Sequence, residues 1–185
     1  MLKKLYKEAE DKMQKTISIY NEELQSIRAG RANPALLDKI TVDYYGQDTP
    51  LRQVGGISAP EPRLLVIQPW DVNLIPIIEK EILISDLGLN PSNDGKVIRL
   101  VIPMLTEERR KDLSRVVKKN GETAKVSIRN IRRDLNDTLK DLEKDKDISE
   151  DEKRIAEDEI QKITDKHIKE IDAITQKKED ELMEI

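Results

Sequence analysis

The sequence predicts an α+β protein of two domains, in which a long antiparallel three-helix bundle carries a small β/α domain inserted between its first and second helices. Three observations carry that reading. All eight prolines lie between Pro34 and Pro103, and six of the seven glycines lie between Gly30 and Gly95. Only 16 of the 75 residues in 31–105 are charged, against about half of those outside. The flanking segments repeat apolar residues in steps of three and four, the pattern of an amphipathic helix. Pro and Gly interrupt helices, so their confinement marks an insert of a different structural type.

Each helix has its own stripe. In 2–27 the apolar positions are Leu2, Leu5, Ala9, Met13, Ile17, Tyr20, Leu24 and Ile27. In 107–143 they are Leu113, Val117, Ala124, Ile128, Ile131, Leu135 and Leu142, with Thr106 as the expected N-cap. In 150–184 they are Ile160, Ile163, Ile171, Ile174 and Leu182, behind a Ser149-Glu150-Asp151-Glu152 capping box. Long helices of this kind are stable in water only when their apolar faces pack together. The short break at 144–148 makes the last two an antiparallel hairpin. In the insert, Ile40, Val42 and Tyr44 alternate as a strand does, and Tyr45–Pro50 reads as a turn. Leu64–Ile67 and Val97–Ile102 are β-branched runs, and Asp71–Leu87 reads as a helix ended by Gly88. The bundle domain is thus expected over 1–29 and 106–185, and the insert over 31–104. The crossings near 29–32 (Ala29, Gly30, Arg31, Ala32) and 102–105 (Pro103, Met104, Leu105) are expected to act as a hinge.

Composition narrows the function. Hydrophobic residues make up 37% and charged residues 38%, whereas a globular domain carries about 45–50% and roughly 25%. Elongated helices suit that balance better than a sphere. There is no Cys, hence no thiolate metal site and no Cys nucleophile. His167 is the single histidine and falls near the apolar face of its helix, where packing is the expected role. No catalytic triad, phosphate-binding loop, cofactor site or metal site is expected. No run of 18 apolar residues suggests a membrane span, so a cytoplasmic protein is expected.

The informative feature is charge distribution. Net charge is −4, yet residues 106–135 carry ten basic and five acidic residues, and residues 136–185 carry ten and eighteen. On a helical wheel, Lys111, Lys118, Lys125, Arg129 and Arg132 share a narrow arc, with Arg115 and Arg133 at its edge. One reading is a solvated charged face. The other is an RNA-binding stripe, since clustered guanidinium groups bind phosphate bidentately and few acids interleave on the arc, Glu122 being the obvious one. Arg28 and Arg31 extend it if the crossings lie near. Tyr44-Tyr45-Gly46 reads either as a strand end with one exposed ring or as a partner contact. A helical scaffold or chaperone-like adaptor that binds no RNA is the competing reading of the long charged helices.

Five ordered motifs carry a resemblance. They are Ile27-Arg28-Ala29-Gly30-Arg31-Ala32, Val42-Asp43-Tyr44-Tyr45-Gly46, Ser85-Asp86-Leu87-Gly88-Leu89-Asn90-Pro91, Leu105-Thr106-Glu107-Glu108-Arg109-Arg110-Lys111 and Arg129-Asn130-Ile131-Arg132-Arg133-Asp134. With them the chain resembles bacterial ribosome recycling factor from end to end. The resemblance implies an L-shaped monomer that binds the post-termination ribosome, mainly the large subunit, across the A and P sites. It implies splitting into subunits with elongation factor G and that partner's GTP hydrolysis, with release of mRNA and tRNA, and no catalysis by the chain itself. Carried onto these positions, Arg129, Arg132 and Arg133 are the main expected contacts to 23S rRNA. Arg28, Arg31, Arg110, Lys118 and Lys125 complete the expected rRNA-binding set, and Tyr44 and Tyr45 are expected to face elongation factor G.

Overall fold

A computed structural model describes residues 1–27 and 30–184. The chain divides into two compact units, Met1–Arg28 with Glu107–Ile185, and Ala29–Thr106. Arg28 and Ala29, expected at an RNA contact and at the hinge, lie outside the described residues.

The first unit is built from α1 (Leu2–Gln25), α4 (Glu107–Lys144) and α5 (Glu150–Met183). Each helix buries one stripe: Leu5, Ala9, Met13, Ile17, Tyr20 and Leu24 in α1, and Leu113, Val117, Gly121, Ala124, Ile128, Leu135 and Leu139 in α4. α5 contributes Ala156, Ile160, Thr164, His167, Ile171 and Leu182. Two of these are polar, and each makes one hydrogen bond to its own helix. The Thr164 hydroxyl donates to the Ile160 carbonyl at 2.7 Å, and His167 Nδ1 donates to the Ile163 carbonyl at 2.7 Å. His167 Nε2 lies 3.3 Å from a Glu10 carboxylate oxygen, too poorly aligned for a hydrogen bond, so this side chain belongs to the packing between α1 and α5.

The hairpin between α4 and α5 closes as a Schellman motif. Lys146 adopts φ +60°, its N–H donates to the Glu143 carbonyl at 3.0 Å, and the Asp147 N–H donates to the Leu142 carbonyl at 2.9 Å. α5 then starts on the expected capping box, with Ser149 Oγ accepting from the Glu152 N–H at 3.1 Å and Glu152 accepting from the Ser149 N–H at 2.8 Å.

In the second unit, β3 (Gly55–Glu61), β4 (Leu64–Pro69), β5 (Pro91–Asn93) and β6 (Ile98–Val101) form an antiparallel sheet in the order β3-β4-β6-β5. Leu65, Ile67, Ile98 and Leu100 face inward against Ile78 and Ile82 of α3 (Ile75–Ile84). A hairpin of β1 (Thr41–Tyr44) and β2 (Gln47–Pro50), followed by one helical turn, α2 (Leu51–Val54), closes the core through Val42 and Leu51. The expected turn over Tyr45–Pro50 is therefore shorter. Only Tyr45 and Gly46 form the loop, at φ +52° and +81°, as a two-residue type I′ connection requires. The expected helix over 71–87 is also shorter. Asp71 accepts from the Asn73 N–H at 2.9 Å and starts a 3₁₀ turn, and the chain leaves the helix at Ser85, whose backbone is extended.

The two crossing segments meet the same β3–β4 turn. The Ala32 N–H donates to the Pro62 carbonyl at 2.7 Å, and the Ile102 N–H donates to the neighbouring Arg63 carbonyl at 2.8 Å. Gly30, at φ +74°, lies against the Leu105 side chain.

Gly121 is the tightest point of the bundle. Thr175 donates to the Ile171 carbonyl at 2.8 Å, so the Tyr20 hydroxyl must donate to Thr175 Oγ1, 2.5 Å away. A Cβ on Gly121 would sit 2.9 Å from that Thr175 oxygen and 3.0 Å from the Tyr20 oxygen. Gly121→Ala should therefore destabilise the protein by roughly 1–2 kcal/mol despite alanine's better helix propensity. Tyr20→Phe should recover part of that loss. Urea unfolding checks both, and a more stable Gly121→Ala chain would contradict the packing described.

Candidate nucleic-acid interface

The buried stripe of α4 fixes its rotation, and rotation decides where each basic residue goes. At about 100° per residue, Lys118, Lys125 and Arg132 fall on the flank toward α5, and Arg129 and Arg133 fall on the outer ridge. α5 answers the flank with acids. Lys125 Nζ lies 2.5 Å from Asp172 and 3.1 Å from Glu122, and its side chain is only 17% exposed. The Asp172 carboxylate first, and Glu122 after it, hold the Lys125 ammonium above the usual lysine range against the opposing effect of burial. Lys118 Nζ lies 3.7 Å from Glu179. These two lysines, expected to bind RNA, are thus engaged by acids within the bundle.

Along the rest of the stripe, local pairs take up more charge. Lys111 bridges Glu107 at 2.8 Å, which the lysine holds below the usual glutamate range. Arg115 bridges Asp112 at 3.1 Å. Arg110 is half-buried in the first turn of α4, and Arg31 belongs to the other unit. Both make other interactions.

One turn is left open. Arg129 and Arg133 are exposed, and neither has a hydrogen-bond or ion-pair partner among the described residues. They stand at i and i+4, so their Cβ atoms lie about 5–6 Å apart. Arg132 beside them is half-buried, and its Nη1 donates to Gln161 Oε1 at 3.2 Å. Gln161 in turn donates to Asp165 at 2.8 Å. A neutral partner orients this guanidinium without cancelling its charge. Lys119, outside the arc read from the sequence, is a further exposed cation with no acid partner among the described residues. Its position on the wheel, near the outer ridge, is the signal that could have found it.

Tyr44 is half-buried and packs against the core of the second unit, while Tyr45 is 86% exposed. Their rings meet edge to face at a centroid distance of 4.5 Å. Among the described residues there is no cluster of three or more His, Cys, Asp or Glu able to hold a metal ion.

The fold defines a class: a helical-bundle protein with an inserted β/α unit and an exposed cationic turn on its second long helix. The comparisons identify it further. The family model described as ribosome recycling factor matches residues 20–183. The ribosome-recycling factor of Heliobacterium modesticaldum is 58% identical over 185 residues, with both chains fully covered. That of Geobacillus kaustophilus is 60% identical over the same span, again with full coverage of both. A solution structure of a ribosome recycling factor superposes with a TM-score of 0.78 at 44% identity, covering 100% of this chain and 98% of the other. A second structure, at TM-score 0.65, 51% identity and full coverage of both chains, is a T. thermophilus ribosome recycling factor described with E. coli elongation factor G bound to the E. coli post-termination complex. The chain belongs to the ribosome recycling factor family.

If Lys125 serves the bundle, its contribution should depend on Asp172. In a double-mutant cycle, Lys125→Met and Asp172→Asn should couple by roughly 0.5–1 kcal/mol in unfolding free energy. Additive losses would show that the bridge adds no stability.

Proposed function

We propose that this chain recycles ribosomes after termination and that it grips large-subunit rRNA through the open arginine turn of α4. Arg129 and Arg133 supply unpartnered guanidinium groups, and Arg132 adds a third that Gln161 pre-orients. That open turn is the observation that carries the reading, because arginine without an acid partner is the group that phosphate oxygens complete. Lys118 and Lys125, bridged to acids of α5, are proposed to serve the bundle more than the RNA contact. Arg31, Arg110 and Arg28 are proposed as supporting contacts.

Elongation factor G is the second partner and supplies the energy by hydrolysing GTP. The chain itself is a factor and not an enzyme. Gly30, Arg31, Ala32, Pro103, Met104 and Leu105, with Ala29, are proposed as the hinge between the units. Two short segments anchored on one β-turn bend more easily in some directions than in others. Tyr44 and Tyr45 are proposed to lie toward elongation factor G. No helix among the described residues is long and apolar enough to cross a membrane, and the proposed site of action is the cytoplasm.

Arg129→Ala and Arg133→Ala should each weaken binding to isolated large subunits by about 1.5–3 kcal/mol, roughly ten- to a hundred-fold. Each should also lower the slope of log affinity against log salt by about one, with helicity and melting unchanged. Lys125→Ala should leave that slope alone and lower the melting temperature. Equal slopes for the wild type and both arginine variants would remove α4 from the RNA interface.

A further inference from the structure

The β1–β2 hairpin carries two local costs that no contact within the chain explains. The first is Tyr45. Its φ of +52° is in the left-handed region, where a bulky side chain is strained. Asn or Gly would form the same turn with less strain. The ring gains little from the fold in return, since it is 86% exposed and meets the Tyr44 ring edge to face. The second is a pair of like charges. Asp43 and Asp48 stand directly opposite each other in the antiparallel register, an arrangement that destabilises a hairpin. Asp43 has a structural use, since its Oδ1 accepts from the Gly46 N–H at 2.9 Å. Asp48 is exposed and has no hydrogen-bond or ion-pair partner among the described residues.

The charge around the ring selects the ligand. From Ile40 to Leu51 the only charged residues are these two aspartates. An exposed aromatic ring on a hairpin whose only charges are negative attracts a cation, by its quadrupole and by simple charge. The same tip repels a phosphate backbone, because no basic residue of the hairpin offsets the two acids. The Tyr44 ring braces Tyr45, so little side-chain freedom remains to be lost on contact.

We propose that the hairpin tip is a docking point for a lysine or arginine side chain on a protein partner, which meets the exposed Tyr45 ring and is drawn there by the charges of Asp43 and Asp48. This rests on the recycling function proposed above and narrows the Tyr44–Tyr45 contact to a basic protein surface, as distinct from rRNA.

The test uses the full chain in two assays: affinity for isolated large subunits, and the rate of post-termination ribosome splitting with subsaturating elongation factor G and GTP. Tyr45→Asn and Asp48→Lys each relieve a local cost, so both variants should melt no lower than the wild type. Both should bind large subunits as the wild type does, yet split ribosomes roughly three- to ten-fold more slowly. Tyr45→Phe, which keeps the ring, should split at the wild-type rate. Faster splitting or tighter large-subunit binding by Asp48→Lys would mean that the tip meets RNA, which overturns the proposal. Wild-type splitting by both Tyr45→Asn and Asp48→Lys would overturn it as well, while leaving the arginine interface standing. A wild-type chain that fails to bind large subunits would instead remove the recycling function and this docking point together.

Discussion

The register in which α4 and α5 pack decides what the bundle can hold. Leu113, Val117, Gly121, Ala124, Ile128 and Leu135 turn inward, and that sets every other position of α4. Lys118 and Lys125 then fall beside α5, where Glu179 and Asp172 meet them. Arg129 and Arg133 fall on the outside, where nothing meets them. The open cationic turn is therefore a consequence of apolar packing. α5 is strongly acidic, but on this flank Glu179 and Asp172 bridge Lys118 and Lys125, and Asp165 accepts from Gln161. Gly121 keeps the register tight, because Tyr20 and Thr175 occupy the space that a side chain there would need.

The two units carry opposite chemistry. The bundle offers unpartnered guanidinium groups, which suit phosphate. The insert offers an aromatic tip between two aspartates, which suits a cation. If the proposed contacts hold, the opposite signs keep RNA and a protein partner from exchanging places. As a member of the ribosome recycling factor family the chain is not an enzyme, and the GTP hydrolysis is that of elongation factor G.

Much of this was legible in the sequence, and the failures have physical causes. The three long helices were readable because period-3.6 stripes extend over many turns, and Ser149 with Glu152 announced the start of α5. The confinement of Pro34 to Pro103 revealed the insert. The short strands β3 and β5 were not readable: Gly55-Gly56, Pro60 and Pro91 look like breakers, and their pairing is set by tertiary contacts with β4 and β6. The basic stripe was visible, but its division was not. A wheel places Lys125 and Arg129 close together, whereas Asp172, 47 positions further along the chain from Lys125, becomes its partner only through the fold. The strain at Tyr45 was likewise hidden, since the sequence shows a Tyr-Gly pair but not that the tyrosine is the first central residue of a type I′ turn.

The most direct measurement is a high-resolution structure of the chain bound to the large subunit. The guanidinium nitrogens of Arg129 and Arg133 should lie about 2.7–3.2 Å from rRNA phosphate oxygens, with Lys125 still bridged to Asp172. A complex in which the outer ridge of α4 faces solvent, or in which Lys125 leaves Asp172 to contact RNA, would contradict the link between helix register and RNA binding.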